Sequence, residues 1–150
     1  MKTNYFTIPE ITVSYKDNVK ASERAIIRCS KDVASILAVA YEDCMEHHEE
    51  VNVLFLNRAY RLIGISCVCK GGISGVLVDI RIILQIALKV HCSAIMLSHN
   101  HPSGATQPSS EDIQLTKQLQ AGCKAVGIQL LDHLIITEET YTSLADEGLL

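Results

Sequence analysis

The sequence predicts an α/β (α+β) fold in which a mixed β-sheet lies between helices. Three observations carry that expectation: short β-branched or continuously apolar runs recur along the chain, stretches of apolar residues at helical spacing recur between them, and the two kinds intermix. A length of 150 residues suits one domain spanning 1–150, enough to bury a core and short for two.

Taken in order, EITVSY at 10–15 alternates and is rich in β-branched residues, as a half-buried strand would be, and RAIIRC at 24–29 reads as a second short strand. Between them KDNVKAS reads as a turn. Ser30 then stands ahead of a helix whose Val33, Ile36, Leu37, Ala40, Tyr41 and Cys44 fall at helical spacing. After the polar EHHEE, residues 51–57 (VNVLFLN) form a strand that returns through NRAY into RLIGISCVCK, making a hairpin. The glycine-rich KGGISG lacks the Lys-Ser/Thr placement of a phosphate-binding loop and reads as the hairpin's exit. An apolar helix follows at 79–90. Residues 93–99 (SAIMLSH) are continuously apolar, as a central strand covered on both faces would be. A second amphipathic helix is signalled from Ser109 or Ser110 to about Lys124, and GIQLLDHLIIT at 127–137 is another buried strand.

Nearly half the residues are hydrophobic (48%) and a fifth are charged, the balance of a globular protein. A net charge of −4 gives little attraction for a phosphate backbone, and Lys16, Lys20, Arg24 and Arg28, interrupted by Asp17 and Glu23, read as a solvated face. Nucleic acid is therefore a disfavoured partner. Six cysteines, most within apolar runs and with no signal peptide ahead of them, suit reduced, buried thiols in a cytoplasm. Cys67 and Cys69 form a C-x-C that would share one face of a strand, and with no second pair at zinc-knuckle spacing they read as core residues. Asp79, Arg81, Gln85 and Lys89 interrupt the most apolar stretch below membrane-spanning length. A strand edge near EITVSY would allow two copies to pair.

The chemistry concentrates in SHNHPSGATQPSSED, residues 98–112. His99 and His101 sit at i and i+2 where a buried strand ends, so in extended geometry both imidazoles project from one face, about 6.5 Å apart along the chain. One metal ion can take both, and a catalytic zinc wants a third protein ligand and an open position for water. Asp112 lies eleven residues after His101, in the first turn of the next helix. Gly104 permits unusual dihedrals while Pro102 and Pro108 stiffen the path, so the loop can bring the helix start over the strand end. Ser109 and Asp112 also make an S-x-x-D helix cap, which needs no metal. The joint pattern H-x-H-x(7)-S-x-x-D at a strand-loop-helix junction is far more specific than either part.

With LLDHLII downstream and VLFLN upstream, HNHPSGATQPSSEDIQLT resembles the JAMM (MPN-type) domain of the RadC-like proteins, over roughly residues 32–150. The resemblance implies a curved sheet flanked by helices, related in layout to cytidine deaminases, and a zinc-dependent metallopeptidase-type hydrolase of peptide or isopeptide bonds. It implies His99, His101 and Asp112 as ligands of one zinc ion, with Ser109 stabilising the developing oxyanion. It also implies Glu49 as the general base that takes a proton from the attacking water and passes it to the leaving amine. Glu46 and Glu50 compete for that role, because a register slip of one residue exchanges strand faces. His133 matches the family pattern as a core or supporting group outside the ligand set, and Asp132 is a candidate to orient a neighbouring imidazole.

Two departures qualify the resemblance. Many RadC-like proteins carry a helix-hairpin-helix module ahead of this domain, which the first 28 residues are too few to hold. Family members often show Pro-Arg-Glu where this chain has Ile80, Arg81 and Ile82. Peptide or isopeptide hydrolysis is the leading expectation. A metal-dependent nuclease or DNA-repair accessory and a non-catalytic scaffold on the same fold stand as alternatives. A deaminase is disfavoured, since its H-x-E and P-C-x-x-C ligand set has no counterpart here.

Overall fold

The computed structural model of the chain describes residues 11–71 and 77–150. Its main elements are α1 (Ser30–Ala40), β1 (Glu50–Leu56), β2 (Leu62–Lys70), α2 (Ile80–Lys89), β3 (Ala94–Asn100), α3 (Ser110–Ala125), β4 (Gln129–Ile136) and β5 (Tyr141–Ser143). The strands form one mixed sheet in the order β2-β1-β3-β4-β5. Only β3 and β4 run parallel, joined through α3, and the other pairs are antiparallel. This is the α/β arrangement of a mixed sheet flanked by helices that the sequence predicts.

Strand parity explains why β1 and β3 read as continuously apolar. Val53 and Phe55 of β1 and Ile95 and Leu97 of β3 pack against Ile83, Ala87 and Leu119 from α2 and α3. The alternate residues Leu54, Leu56, Ala94 and Met96 pack against Val33, Leu37 and Tyr41 on the α1 side. Both faces are covered, so neither parity needs polar residues. Polar groups on these central strands therefore require partners, and they cluster at one end of the sheet.

Two bulges re-aim side chains there, as an extra residue in one strand does. In β4 the register passes from Ile95–Leu130 to Met96–Asp132, skipping Leu131. His133 thereby comes opposite Leu97, on the α2/α3 face, and Asp132 turns to the other. In β2 the register passes from Val51–Cys69 to Asn52–Cys67. Cys69 then packs with the α2/α3 cluster while Cys67 meets Glu50 on the α1 side, so the C-x-C pair does not share a face.

Other expectations are corrected as well. Residues 11–15 form no strand, and Ile11 and Val13 are exposed. An alternating pattern becomes a strand only where a neighbour supplies hydrogen bonds, and none pairs with this segment; Glu10 lies outside the described residues. RAIIRC contributes only an isolated bridge between Ile26 and Arg61. Arg24 is not solvated: its guanidinium pairs with Asp17 and donates to the Leu62 carbonyl. Ser30 lies inside the first turn of α1, its hydroxyl given to Asp146, and Cys29 holds the cap position. Cys29 and Cys67 are exposed, while Cys44, Cys92 and Cys123 are buried. The short β5 was not anticipated, and most of the glycine-rich exit at 70–75 lies outside the described residues. Among the described residues no helix is long and apolar enough to cross a membrane.

Candidate metal centre

The site forms where β3 ends and the chain turns towards α3, at the carboxyl end of a strand in a parallel β-α-β unit, where open α/β sheets commonly place their ligands. His99 shares strand parity with Ile95 and Leu97 and so faces α3. The backbone N–H of His101 donates to the Ile136 carbonyl (2.8 Å), prolonging the strand path by one residue and putting the second imidazole on the same face. Gly104, at φ +76°, then reverses the chain, a conformation a side chain resists. The turn carries the Ala105 carbonyl back to His101 Nδ1 at 2.7 Å.

Ser109 caps α3. Its hydroxyl oxygen accepts from the Asp112 N–H, and both its backbone N–H and its hydroxyl donate to Asp112 Oδ2 at 2.8 Å. The cap holds Asp112 in the first turn with Oδ1 turned to the histidines. His99 Nε2 stands 2.8 Å from His101 Nε2 and 3.3 Å from Asp112 Oδ1, and His101 Nε2 is 3.8 Å from Asp112 Oδ2. Tetrahedral bonding to zinc at about 2.0–2.1 Å sets neighbouring donor atoms about 3.3 Å apart. The three expected ligands converge on that spacing.

The hydrogen bonds behind these atoms decide which nitrogens are bare. The Ala105 carbonyl can only accept, so His101 carries its proton on Nδ1 and leaves Nε2 as a lone pair. The same reasoning runs through His99. The Thr116 hydroxyl donates to the Asp112 carbonyl (2.6 Å) and accepts from His133 Nδ1–H (2.6 Å). Neutral His133 then accepts through Nε2 from His99 Nδ1–H at 2.8 Å, so His99 Nε2 is bare too. Burial, with the His99 imidazole alongside, pushes His133 down to about 3, which keeps it neutral. Burial opposes a charge on Asp112, but the His99 imidazole alongside and the hydrogen bonds from Ser109 outweigh it and hold that carboxyl well below the usual range. Two lone pairs and one carboxylate aimed at a common point are the donor set a borderline cation takes. The residues present fit zinc.

Glu49, half-buried, follows the parity of Val51 and lines the same cavity of about 510 Å³, together with His99, Ser109, Asp112 and Leu115. Glu50 points to the opposite face, where His48, Lys70 and Cys67 surround it. Glu46 is exposed and lines a separate recess with His47 and Thr137. Of the three acids only Glu49 lines the cavity that holds His99 and Asp112.

Residues beyond the expected set hold this geometry. Asn100, between the two histidines and of opposite parity, accepts from the Glu50 N–H (2.7 Å) and shares its amide hydrogens among the carbonyls of Cys44, Met45 and His48. One buried amide thus clamps the segment that leads into Glu49. Thr116 ends the relay; its signal was a hydroxyl four residues after Asp112, on the same helix face. Asp132 touches no imidazole. It accepts from the His133 and Ala145 N–H groups and from the Ser143 hydroxyl, tying β4 to β5, because the bulge at Leu131 turns it away from the site.

A family model for the RadC-like JAB domain matches residues 27–149. The chain is 40% identical to a UPF0758 protein of Flavobacterium johnsoniae over 82% of its own length and 53% of that protein's. It is 46% identical to a UPF0758 protein of Porphyromonas gingivalis over 68% of this chain and 45% of that one. A UPF0758 protein of Listeria monocytogenes is 37% identical over 87% of this chain and 57% of its own. The chain therefore spans about half the length of the curated relatives it matches. With the matched region covering α1 to β5 and the whole histidine-aspartate cluster, the chain belongs to the RadC-like JAB domain family.

Proposed function

We propose that this chain is a zinc-dependent hydrolase that cleaves a peptide or isopeptide bond, with His99, His101 and Asp112 holding one zinc ion and Glu49 as general base. The observation that carries the reading is the convergence of two imidazole nitrogens and one carboxylate oxygen beside a cavity that His99, Asp112 and Glu49 all line. A zinc ion held there supplies Lewis acidity and an acidified water.

The remaining work falls to the chain. The Glu49 carboxylate accepts a proton from the attacking water and returns it to the leaving nitrogen, since an amine leaves only when protonated. Ser109 orients Asp112 through Oδ2, and a rotation of its hydroxyl gives a hydrogen bond to the carbonyl oxygen as charge develops there. Val51 and Leu115 supply an apolar wall against which an extended substrate is held away from bulk water.

The experiment compares purified protein on peptide and isopeptide substrates with single- and double-stranded DNA, with and without chelator. Chelator-sensitive peptide cleavage lost in Glu49→Gln is the expected result. Cleavage of DNA alone, abolished by His99→Ala, would replace the reading with a nuclease.

A further inference from the structure

On the far side of β1 from His99 lies a second convergence of metal-binding side chains. The sulfur of Cys44, a nitrogen of His48 and a carboxylate oxygen of Glu50 all lie within 4.8 Å of one another. His48 Nε2 stands 2.8 Å from Glu50 Oε1, and Cys67 Sγ lies 3.4 Å from Glu50 Oε2. Cys44 and His48 come from the connection between α1 and β1, Glu50 from the start of β1, and Cys67 from β2, where the bulge turns it to this face.

We propose that Cys44, His48, Glu50 and Cys67 form a second metal site, for a thiophilic divalent cation of the zinc class, on the opposite face of the sheet from His99. The inference is independent of the hydrolytic reading. Cys44, His48 and Glu50 already lie within ligand reach of one another; Cys67, 3.4 Å from Glu50 Oε2, supplies the fourth donor by turning its side chain towards them, giving a four-coordinate set of two sulfurs, one nitrogen and one oxygen. For zinc, bond lengths of about 2.3 Å to sulfur and about 2.0–2.2 Å to nitrogen and oxygen place neighbouring donors about 3.3–3.8 Å apart. The Glu50–Cys67 separation already lies in that range.

Charge and hydrogen bonding agree with the assignment. On binding, the cation takes the place of the two thiol protons, which pass to solvent. Two thiolates, one carboxylate and one divalent cation sum to a single negative charge, which Lys70 neutralises from 3.0 Å with its side chain largely in water. In the metal-free chain His48 Nε2–H donates to Glu50 Oε1 (2.8 Å); on binding the cation takes that position, and a proton on His48 Nδ1 then has His47 Nδ1, 2.8 Å away, as acceptor. Asn52, two residues from Glu50 on the same strand face and opposite Cys67 in register, is 4% exposed and leaves its amide nitrogen without a partner. A thiolate at Cys67 gives that donor an acceptor. Cys67 is exposed, so a cation has a way in.

The consequence reaches Glu49, which sits between two of these ligands with its side chain on the other face. A cation bound by His48 and Glu50 fixes the backbone on either side of it and joins the connection after α1 to the sheet.

Cobalt(II) titration of metal-free, reduced protein tests the proposal, because the His99 site holds no sulfur. A thiolate-to-cobalt charge-transfer band should grow to one equivalent of thiolate-bound metal, persist in the His99→Ala/His101→Ala variant, and lose half or more of its intensity in Cys67→Ser, which leaves at most the Cys44 thiolate. Cys44 is buried, so Cys44→Ser is read only where circular dichroism shows an unchanged fold, and it too should lose half or more of the band. Absence of the band in the wild-type chain, or its survival unchanged in Cys67→Ser, would overturn the proposal.

Discussion

His99 Nδ1 and His133 Nε2 meet at 2.8 Å in a buried contact, and that contact fixes which nitrogen of His99 is free to bind a cation. An imidazole that orients another imidazole does the work a carboxylate or carbonyl usually does behind a metal ligand. Substituting His133 by Ala removes the acceptor and frees His99 to change tautomer. Metal affinity at this site should fall about 10–100-fold, as for other supporting groups. Thr116→Val should move affinity the same way by stripping the relay of its end. Competition against a chelator of known affinity measures both, and unchanged affinity in both variants would remove the relay from the account.

Glu49→Gln keeps the shape of the side chain and removes its basicity. Metal content should stay at the wild-type level while turnover falls by about 10²–10⁴, the usual worth of a positioned base. Glu46→Gln, on a different surface, should leave turnover intact. A single-turnover assay beside metal analysis separates binding from chemistry.

Asn100→Ala leaves the Glu50 N–H and the carbonyls of the preceding turn without their partner. With a buried unpaired group costing about 1–3 kcal/mol, a loss of about 2 kcal/mol or more is expected. Urea unfolding of chelated protein measures it. Asn100→Asp should be worse than Asn100→Leu, because it sets a negative charge against three carbonyl oxygens.

Acid should weaken the metal-free fold through His133. Its pKa in the folded chain is pushed down to about 3, against about 6.5 for an exposed imidazole. Between those values the unfolded chain binds a proton that the folded chain refuses. The contribution is therefore whole above about pH 6.5 and lost progressively as pH falls towards 3. Urea midpoints at pH 7.5 and pH 5, compared between the wild-type chain and His133→Leu, should show a smaller drop in the variant.

The cluster of His99, His101 and Asp112 was legible in the sequence because it is local. His99 and His101 share a face by strand parity, and Ser109 and Asp112 are three apart at a helix start, so short-range geometry alone carries them near one another. Glu49 was legible only through the resemblance, since its distance from Glu46 and Glu50 is decided by where β1 begins. What could not be read were the bulges. A strand written as an unbroken alternation puts Asp132 beside the site and Cys67 beside Cys69; one extra residue, Leu131 in one strand and Val68 in the other, exchanges those faces. Nothing in the runs IQLLDH or SCVCK marks the insertion, because both faces of the sheet are covered and either parity is apolar. The missing strand at 11–15 is the converse case: the alternation is present and the partner strand is not.

The most direct measurement is anomalous X-ray diffraction at the zinc edge from crystals of zinc-loaded protein. The expected result is a peak bonded to His99 Nε2, His101 Nε2 and an oxygen of Asp112 at about 2.0–2.1 Å, with His133 outside the coordination sphere. Density showing those three side chains without a shared metal, or the metal bonded to His133 in place of one of them, would contradict it.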